Sequence, residues 1–428
     1  MNILILGGGG REHALAWAVL QNPKCDRLVV APGNAGIEQI AECASLDILD
    51  PAAVVGFADE ESMDLVIVGP EAPLVAGVTD VLADAGIACF GPSRAAAQLE
   101  ASKGFTKEIC AAVGAPTAAY TRFDALDPAL ADLRSRGAPI VIKADGLAAG
   151  KGVTVAATID EAEAALRDIF DGVHGRAEVV IEDLLTGEEA SFFCLVDGET
   201  VLPLGTAQDH KRAHDGDAGP NTGGMGAYSP APVMTPAVER RALEEIVKPC
   251  MAEMMRRGTP FRGVLFVGLM IEDGAPSLVE FNTRFGDPEC QCLMMRLGGQ
   301  VLDLLQACAA GQLGDAKVRW ADDHAMCVVM AAEGYPGRYE KGEAIGGLGD
   351  LPDDSFATCF HAGTRREAGQ FLSVGGRVLG LTARGASLAQ ARERAYAMVD
   401  AIDWPGGRVR RDIGWRALQD SGSPSQPT

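Results

Sequence analysis

The chain has 428 residues, of which 47% are apolar and 22% charged, and this length predicts about three domains in a soluble globular protein. Its 37 basic and 59 acidic residues give a formal net charge of −22. Binding to nucleic acid needs clustered Lys and Arg, so this balance argues against a nucleic-acid partner but not against small anionic substrates.

The first hundred residues alternate short apolar runs with amphipathic segments. Strands are predicted over residues 2–6, 27–31, 65–68 and 88–90, with a helix from about Arg11. Strands at this spacing are typical of a doubly wound parallel sheet. Ligands of such sheets lie beyond the carboxyl ends of the strands, and these ends carry GGGGREH, APGNAG and GPEAPL.

The pattern changes after Ala101. The expected elements are a helix over 102–113, strands over 140–143 and 178–182, and hairpins pairing 191–196 with 201–204 and 264–271 with 277–282. We expect 208–229 to form a long polar loop, and loops of that length are usually functional or mobile. The last third is predicted to contain a strand over 325–331, a turn at 334–337 and a helix over 388–402, and the final SGSPSQPT is expected to be disordered.

A glycine-rich loop at 145–153 (DGLAAGKGV) lies between two predicted strands. Small residues let backbone N–H groups close on phosphate oxygens, and Lys151 adds positive charge. The loop does not match the G-x-x-x-x-G-K-[ST] pattern, and a strand follows it instead of a helix. Taken alone, it fits phosphate binding and a tight hairpin with an exposed lysine equally well.

An acidic segment at 182–189 (EDLLTGEE) follows another apolar strand. Backbone that leaves a strand can offer N–H and C=O groups to an adenine edge. An acidic residue a few positions later can bind ribose hydroxyls. Taken alone, the segment favours an ordinary acidic loop.

Glu280 and Asn282 stand two residues apart at the end of a predicted strand, so their side chains share a face. A carboxylate beside an amide oxygen suits Mg²⁺, which also binds nucleotide phosphates. Arg284 follows on that face, where it can stabilise charge during phosphoryl transfer. A polar ladder on a solvent face is the alternative. Lys103 and Lys143, at a helix start and a strand end, fit around a triphosphate together with this pair and the glycine-rich loop. Taken alone, a lysine at a strand end more often faces solvent than a ligand.

The order of these parts is more specific than any one of them. A lysine helix, a strand–Lys–glycine loop, a strand–Glu–hinge and a Glu-x-Asn strand end together resemble the ATP-grasp fold. Within that fold the chain resembles the phosphoribosylamine–glycine ligase family, also called glycinamide ribonucleotide synthetases, in GGGGREHAL, APGNAG, GPEAPL, ASKGFTK, KADGLAAGKGV, GEEASF, QDHKR, NTGGMGAYSP and EFNTRFGDPE. These motifs lie between residues 1 and 289, and the C-terminal third offers none as distinctive.

The resemblance implies an N-terminal doubly wound parallel sheet (pre-ATP-grasp), a central ATP-grasp fold of two α+β subdomains and a small C-terminal α+β domain. We expect the divisions 1–102, 103–320 with a mobile subdomain at about 118–190, 325–422, and a disordered tail at 423–428. The implied reaction converts ATP, glycine and 5-phosphoribosylamine into ADP, phosphate and glycinamide ribonucleotide through a glycyl phosphate, in purine synthesis. The implied cofactors are ATP and Mg²⁺ or Mn²⁺.

The resemblance also implies roles for individual residues. Catalytic roles fall on Arg284 and Lys143, and metal binding on Glu280 and Asn282. ATP binding is implied for Lys103, Lys143, Gly146, Gly150, Lys151, Gly152, Glu182, Asp183, Leu185, Glu188 and Glu189. The implied phosphoribosylamine site comprises Gly8, Gly9, Gly10, Arg11, Gly33, Asn34, Pro70 and Glu71. The implied site for glycine and the acyl phosphate comprises Asp209, Lys211, Asn221, Thr222, Gly223 and Arg284, and Asp287 is a further implied substrate contact.

One position departs from the ATP-grasp pattern, because Gly268 stands where many members have another acidic metal ligand. A dinucleotide-dependent oxidoreductase is disfavoured, because Gly8 and Gly10 are followed by His13 and no acidic residue stands near position 32. The motifs also permit a different ATP-grasp ligase, such as a biotin-dependent carboxylase subunit, or an ATP-binding regulatory protein that catalyses no reaction.

Eleven scattered cysteines, none in a C-x-x-C pair, favour reduced thiols over a metal site or a disulfide framework. The N-terminus lacks the basic lead and cleavage site of a signal peptide, and no apolar stretch reaches the ~18 residues of a membrane span. We expect a cytoplasmic, monomeric enzyme with a single activity and no nucleic-acid or membrane partner.

Overall fold

The first hundred residues form a parallel sheet in a computed structural model that describes residues 1–146, 152–171 and 178–420. The strands are β1 Asn2–Gly7, β2 Arg27–Pro32, β3 Glu42–Cys43, β4 Leu65–Val68 and β5 Cys89–Phe90. The helices are α1 Gly10–Leu20, α2 Pro51–Glu60, α3 Glu71–Ala76, α4 Val78–Asp84 and α5 Gln98–Ala101. The strands lie in the order β3-β2-β1-β4-β5, and every pairing is parallel.

Strand β1 is apolar without interruption because both of its faces are buried. Ile3 and Ile5 pack with α1 on one face, whereas Leu4 and Leu6 pack with α2 and α4 on the other. The predicted parallel sheet is therefore confirmed, and its predicted strands lie within one residue of the observed ones. Strand β3 was not predicted, because two residues are too short to show a periodic pattern.

A second sheet follows helix α6 Lys103–Val113. It consists of β6 Tyr120–Phe123, β7 Ile140–Ala144, β8 Val153–Ala156 and β9 Val179–Asp183, in the order β6-β9-β7-β8 and antiparallel throughout the described residues. Helices α7 Leu126–Arg136 and α8 Ile159–Phe170 share an apolar core with it, formed around Leu133, Ile142, Leu166 and Ile181. The loop that joins β7 to β8 ends at Gly152, and its members Gly150 and Lys151 lie outside the described residues, as does the tail at 423–428.

The third sheet is the largest and joins the middle of the chain to its end. Its middle strands are β10 Glu188–Asp197, β11 Val201–Asp209, β14 Gly226–Ser229, β15 Arg262–Glu272 and β16 Ala275–Asn282, with a separate ribbon of β12 Arg212–His214 and β13 Ala218–Asn221. The end of the chain adds to this sheet β17 His324–Ala332, β19 Ala357–His361, β22 Arg377–Gly385 and β23 Gly407–Arg408. It also contains a separate sheet of β18 Ala344–Ile345, β20 Thr364–Glu367 and β21 Gln370–Ser373. The order is β16-β15-β10-β11-β14-β17-β22-β19, with β23 beside β17, while β18, β21 and β20 pair separately.

Helices cover both faces of the large sheet. They are α9 Pro236–Arg241, a π-helical turn Ala242–Val247, α10 Lys248–Arg256, α11 Glu289–Leu297, α12 Gln300–Ala309, α13 Leu388–Ala401 and α14 Trp415–Asp420. Helices α1, α11 and α12 share one apolar core with Phe193, Phe266 and Ile5, so a continuous core joins the N-terminal sheet to the large sheet. This packing places the first glycine loop next to the segment that follows β16, where Arg11 donates to the carbonyl oxygen of Phe285.

The segment 208–229 is not the long loop that was predicted. It contains the end of β11, the β12–β13 ribbon and the buried strand β14. Strand β14 pairs with β11 and with β17, whose residues follow about a hundred positions later. The short sequence GAYS is a central strand because it lies between β11 and the distant strand β17, which its own four residues do not indicate. Likewise β10 begins at Glu188, so Glu188 and Glu189 belong to a strand and not to the preceding hinge.

Two buried histidines join helix α1 to the C-terminal sheet. The backbone N–H of His361 donates to His13 Nδ1 at 2.8 Å, and His361 Nδ1 lies 3.0 Å from Thr364 Oγ1. Burial, reinforced by the neighbouring His361 ring, lowers the pKa of His13 to about 3. Burial lowers the pKa of His361 to about 4. Both rings therefore stay uncharged at pH values where an unfolded histidine takes up a proton.

We expect the free energy of unfolding to fall between about pH 7 and pH 5, because the unfolded histidines bind protons that the folded ones do not. Each ring accounts for roughly 2 kcal/mol of this loss by pH 5. Urea unfolding midpoints measured across this range test the expectation. His361→Gln should make the slope shallower, whereas His214→Gln, at an exposed position, should not. A wild-type midpoint that does not change with pH would contradict it.

No helix within the described ranges is both long and apolar enough to cross a membrane. All eleven cysteines lie in those ranges and are unpaired thiols, as predicted.

Candidate active site

A buried carboxylate lies between two lysines at the junction of the two antiparallel sheets. Glu182 of β9 pairs with Val141 of β7, so Lys143, two residues further along β7, faces the same side. Lys143 Nζ lies 2.9 Å from Glu182 Oε2, and both side chains are at most 5% exposed. The same ammonium donates to the carbonyl oxygen of Val279 in β16 at 3.1 Å. Lys143 therefore connects the small sheet to the large one.

Lys107, which the sequence did not single out, approaches the same carboxylate from helix α6. Its Nζ lies 3.4 Å from Glu182 Oε2 and donates to Thr117 Oγ1 and to the carbonyl oxygen of Ala118. Burial lowers the pKa of Lys107, although Glu182 opposes the shift. Glu182 Oε1 is buried and has no hydrogen-bond partner among the described residues. Glu182 Oε1 is therefore an acceptor that a ligand can use.

Lys103 begins helix α6 beside the glycine-rich loop. The Ser102 hydroxyl caps this helix by accepting from the N–H of Phe105. The carboxylate of Asp145 accepts the N–H of Lys103 at 2.6 Å and the hydroxyl of Ser102 at 3.0 Å. Lys103 Nζ donates to the carbonyl oxygen of Gly146, and burial lowers the pKa of its ammonium. Asp145 therefore fixes the first residues of the loop against the start of the helix.

Glu280, Asn282 and Arg284 share one face at the end of β16, as their spacing predicted. Asn282 Nδ2 lies 3.4 Å from Glu280 Oε1, and Arg284 Nη2 donates to Asn282 Oδ1 at 3.2 Å. Burial opposes ionisation of Glu280, but Lys211, Lys143 and Lys103 outweigh it and lower the pKa of this carboxyl. Glu280 is thus an anion surrounded by three lysines.

Arg284 is held by carboxylates from the N-terminal region. Its guanidinium lies 2.9 Å from Glu100 Oε1 and 3.4 Å from Glu71 Oε2. Glu100 also accepts the backbone N–H and the hydroxyl of Thr283. Glu100 is a second residue that the sequence did not reveal, although it directly precedes the ASKGFTK motif.

Glu280 and Asn282 fit a divalent cation that keeps other ligands. They supply one carboxylate and one amide oxygen, and no cluster of three or more His, Cys, Asp or Glu side chains suited to a metal occurs within the described ranges. Gly268 lies directly opposite Glu280 in β15, and a Cβ there would be 3.3 Å from Glu280 Cγ. A second acidic ligand is therefore absent from that position. Such an open pair suits Mg²⁺, which takes its remaining ligands from phosphates and water.

The residues implied for adenine and ribose lie at the end of β9, in the connection that follows it and at the start of β10. Gln208 Nε2 donates to Glu188 Oε1 at 2.6 Å, and Lys211 forms an ion pair with Glu189. Leu185 is partly buried. The carboxylate of Asp183 is paired with Arg136, and its backbone N–H donates to the carbonyl oxygen of Ala119 at 3.0 Å.

The N-terminal glycine loops meet at the carboxyl edge of the parallel sheet. A Cβ on Gly8 would lie 2.3 Å from the carbonyl oxygen of Gly33, so this close approach requires a glycine at position 8. Gly33 has a φ of +72°, and a Cβ there would lie 2.3 Å from Cys43 Sγ. Asn34 Nδ2 donates to the carbonyl oxygens of Gly8 and His361 at 2.8 Å, and its Oδ1 accepts two backbone N–H groups. The Asn34 side chain therefore shapes this loop through internal hydrogen bonds.

Arg11 and its neighbour Glu12 are buried at the start of helix α1. Arg11 Nε donates to Glu12 Oε1 at 2.6 Å, and Glu12 Oε2 accepts the N–H of Gly9 at 2.7 Å. Arg11 Nη1 reaches the carbonyl oxygen of Phe285 at 3.1 Å, near Arg284. Burial opposes the charge on Arg11, but the Glu12 and Asp287 carboxylates outweigh it and raise its pKa. Gly10 begins this helix, while Pro70 caps α3 and Glu71 begins it at the same edge.

Asp209 lies at the end of β11, facing Glu289. Its Oδ1 is buried and has no hydrogen-bond partner within the described residues. Burial and the Glu289 carboxylate raise the pKa of Asp209 well above its usual range. Glu289 accepts the hydroxyl of Ser191 at 3.0 Å, and burial raises its pKa as well. The site thus contains an acidic pair to which a cation would be attracted.

The loop from Asn221 to Gly226 borders this acidic pair. Asn221 pairs with Arg212 in the β12–β13 ribbon, and the Thr222 hydroxyl donates to the carbonyl oxygen of Lys211 at 2.9 Å. The carbonyl oxygen of Gly223 accepts a hydrogen bond from the guanidinium of Arg377, which also lies 3.5 Å from the carboxylate of Asp287. Arg377 lies in the C-terminal third, where the sequence offered no distinctive motif, and only the pairing of β22 within the large sheet brings it here.

Three family models match consecutive parts of the chain. They describe the N domain of phosphoribosylglycinamide synthetase over residues 1–100, its ATP-grasp (A) domain over 101–290 and its C domain over 325–416.

Among curated proteins, the chain is 59% identical over 420 residues to a phosphoribosylamine–glycine ligase of Mesorhizobium japonicum, covering 98% of this chain and 99% of that protein. It is 57% identical, with the same coverage, to the ligase of that name from Agrobacterium fabrum. Among solved structures, phosphoribosylamine–glycine ligase from Thermotoga maritima has a TM-score of 0.83 at 30% identity, covering 97% of this chain and all of that one. A biotin carboxylase from Campylobacter jejuni has a TM-score of 0.73 at 15% identity, covering 98% and 95%, a likeness of fold alone.

Proposed function

The chain belongs to the phosphoribosylglycinamide synthetase family, and from this premise we infer that the side chains described above perform the reaction of that family. Glycine is joined to 5-phosphoribosylamine to give glycinamide ribonucleotide, while ATP is cleaved to ADP and phosphate, in purine biosynthesis. This assignment replaces the oxidoreductase, the biotin-dependent carboxylase and the ATP-binding regulator as interpretations of the sequence.

One observation supports the catalytic arrangement most strongly. Glu280, beside Asn282, is held as an anion among Lys103, Lys143 and Lys211. A triphosphate with a divalent cation needs this combination, because the lysines neutralise phosphate oxygens and the carboxylate anchors the cation. ATP-grasp ligases use ATP with a divalent cation, and we propose Mg²⁺ or Mn²⁺ held by Glu280 and Asn282. When bound, this ion neutralises charge on the phosphate groups.

The chemistry requires positioning more than protein nucleophiles. A carboxylate oxygen of glycine attacks the γ-phosphorus of ATP, the bond to the β-phosphate oxygen breaks, and ADP leaves. The amine of phosphoribosylamine then attacks the carbonyl carbon of glycyl phosphate, and phosphate leaves as the amine loses a proton. We propose that Lys103 and Lys143 bind the phosphates of ATP and that Arg284 stabilises charge on the transferred group. The loop with Gly146, Gly150, Lys151 and Gly152 would exclude water from the acyl phosphate.

We propose that the nucleoside of ATP lies between β9 and β10. The backbone of residues 182–185, from Glu182 through Asp183 to Leu185, would contact adenine, and the free Oε1 of Glu182 adds an acceptor. Glu188 and Glu189 would face the ribose. Both are already hydrogen-bonded or paired, to Gln208 and Lys211, and these contacts hold their carboxylates in place.

The phosphoribosylamine site is proposed at the N-terminal loops. Backbone N–H groups of Gly8 and Gly10, the glycine Gly9 between them, the guanidinium of Arg11, and the loops at Gly33–Asn34 and Pro70–Glu71 would surround its phosphate and ribose. The N–H of Gly9 already donates to Glu12 Oε2. The internal hydrogen bonds of Asn34 imply that this residue shapes the loop, while the glycines approach the ligand.

We propose that the ammonium group of glycine binds at Asp209. The unpaired, buried Oδ1 of this residue provides the acceptor, and Glu289 adds negative charge nearby. Lys211, Asn221, Thr222 and Gly223 would line the same space, and Arg284 would face the carboxylate of glycine. A bound ammonium would relieve the repulsion between the two acidic side chains.

Asp209→Asn should therefore raise the KM for glycine by roughly 10- to 100-fold, because a charge-assisted hydrogen bond becomes a neutral one. The KM for ATP should change little. Initial rates with each substrate varied in turn measure both constants. Asp273→Asn, in the turn between β15 and β16, is the matched control. An unchanged KM for glycine would contradict this placement.

The test of the proposed function is ADP formation by the purified protein with ATP, glycine and phosphoribosylamine. We expect equal amounts of ADP and glycinamide ribonucleotide, no release without glycine, and loss of activity when a chelator removes divalent cations. Bicarbonate with biotin, offered in place of both substrates, should give no ADP. ADP release that does not depend on glycine would overturn the proposal.

The proposal includes a division of the chain at 1–102, 103–320 and 325–422, with residues 118–190 as a moving subdomain. It also includes a cytoplasmic monomer that acts on small molecules, without nucleic acid or membrane. The net charge of −22 argues against a nucleic-acid partner, and the unpaired cysteines are those expected of a protein in a reducing cytoplasm.

A further inference from the structure

Arg377 brings the C-terminal third of the chain into the site. It begins strand β22, and its Nη1 donates to the carbonyl oxygens of Gly223 at 2.6 Å and of Asp287. The same nitrogen lies 3.4 Å from the carbonyl oxygen of Gly224, and Nη2 lies 3.5 Å from Asp287 Oδ2. One guanidinium thus joins the loop that the proposed function places at glycine to Asp287, the further substrate contact that the resemblance implies.

The first of these segments is the loop around Gly223. Its backbone is held on two sides by the C-terminal region, because the N–H of Gly223 donates to Tyr335 Oη at 3.1 Å. A Cβ on Gly223 would lie 3.1 Å from the central carbon of the Arg377 guanidinium. At Gly224, whose φ is +113°, a Cβ would lie 2.7 Å from Asp209 Oδ1. The position of this loop therefore sets the space around Asp209.

The second segment is Asp287, which faces the N-terminal loop. A Cβ on Gly9 would lie 3.6 Å from Asp287 Oδ2, and one on Gly10 would lie 3.7 Å from Oδ1. Gln291 Nε2 donates to the same carboxylate at 2.9 Å. Asp287 is thus adjacent to the loop proposed for phosphoribosylamine, while Gly224 is adjacent to the residue proposed for glycine.

We propose that Arg377 is a positioning residue that keeps the glycine side and the phosphoribosylamine side of the site in register, so that the amine captures the acyl phosphate before water does. The inference rests on the proposed function. Its physical basis is the planar guanidinium, which reaches carbonyl oxygens of two segments and a carboxylate at once. A lysine ammonium cannot reproduce that fork.

The test is the ratio of ADP to glycinamide ribonucleotide formed in one reaction. With Arg377→Ala we expect this ratio to rise from about one to several, because a small misplacement of the amine leaves the acyl phosphate to hydrolysis. The KM for phosphoribosylamine should rise roughly tenfold, while the KM for ATP stays near the wild-type value. Guanidinium chloride at millimolar concentration should lower the ratio again in this variant, and Arg377→Lys should not restore it.

Two further variants separate positioning from stability. Arg408→Ala removes an exposed arginine from strand β23, which pairs with β17, and should keep the wild-type ratio. Arg408 forms an ion pair with the exposed Glu333 and donates to the carbonyl oxygens of Pro405 and Gly407. Tyr335→Phe removes the acceptor of the Gly223 N–H and should raise the ratio by a smaller factor. If Arg377→Ala fails to fold, Arg377→Lys and Tyr335→Phe decide the question in the same assay.

A ratio that stays at one in the folded variants, with only the melting temperature lowered, would overturn the inference and assign Arg377 to stability alone. That result leaves the proposed function intact, because the wild-type protein would still form ADP and product equally. Failure of the proposed function is a different result, in which the wild-type protein itself releases no glycine-dependent ADP.

Discussion

Glu280→Gln is expected to lower kcat by roughly 100- to 1,000-fold while the protein remains folded. Glutamine has nearly the same shape but no charge, so the proposed cation loses its anionic ligand. Lys103, Lys143 and Lys211 lose the carboxylate that they share. Initial rates of product formation at increasing Mg²⁺ concentration test this expectation, and the concentration of metal needed for half-maximal rate should rise.

The matched control is Glu272→Gln in the same hairpin. Glu272 ends β15, is exposed, and accepts only the hydroxyl of Thr186 among its described contacts. It should leave kcat and the metal dependence unchanged. Thermal unfolding of both variants should differ from the wild type by only a few degrees, about the effect of 1 kcal/mol in a protein of this size. Wild-type rates in Glu280→Gln would refute the metal assignment.

The parts of this fold that local patterns determine were predictable from the sequence. Strand β4 is a short apolar run beside Gly69, and its predicted bounds are the observed ones. The face shared by Glu280, Asn282 and Arg284 follows from strand periodicity alone, and the structure confirms the contacts among them. In these cases the information lies within a few consecutive residues.

The parts that depend on distant partners were not predictable. Strand β14 becomes central because β17 pairs with it, and Arg377 reaches the site because β22 lies next to β17. Lys107 of α6 contacts Glu182 of β9, and the strands β6, β7 and β8 lie between these two elements in the sequence. In each case the residue types can be read from the sequence, but the contacts between them cannot, since side-chain packing between remote segments leaves no local sequence pattern.

We expect the buried ion pair of Lys143 and Glu182 to contribute both to ATP binding and to stability. Lys143→Met should lower kcat/KM for ATP by roughly 100-fold, since the proposed contact of this buried cation with the ATP phosphates is lost. It should also destabilise the protein by up to about 3 kcal/mol, because a buried carboxylate loses one of its two lysines. Urea unfolding and initial rates measure the two effects independently.

The double variant Lys143→Met with Glu182→Gln separates these effects. Removing both charges should return most of the lost stability, since no uncompensated carboxylate remains, but it should not return the activity. Lys107→Met is the matched single control, because Lys107 contacts the same oxygen of Glu182 from helix α6 and hydrogen-bonds to Thr117. It should destabilise the protein with a much smaller loss of kcat/KM for ATP. Equal losses of kcat/KM in the two lysine variants would mean that Lys143 acts through the fold and not on the nucleotide.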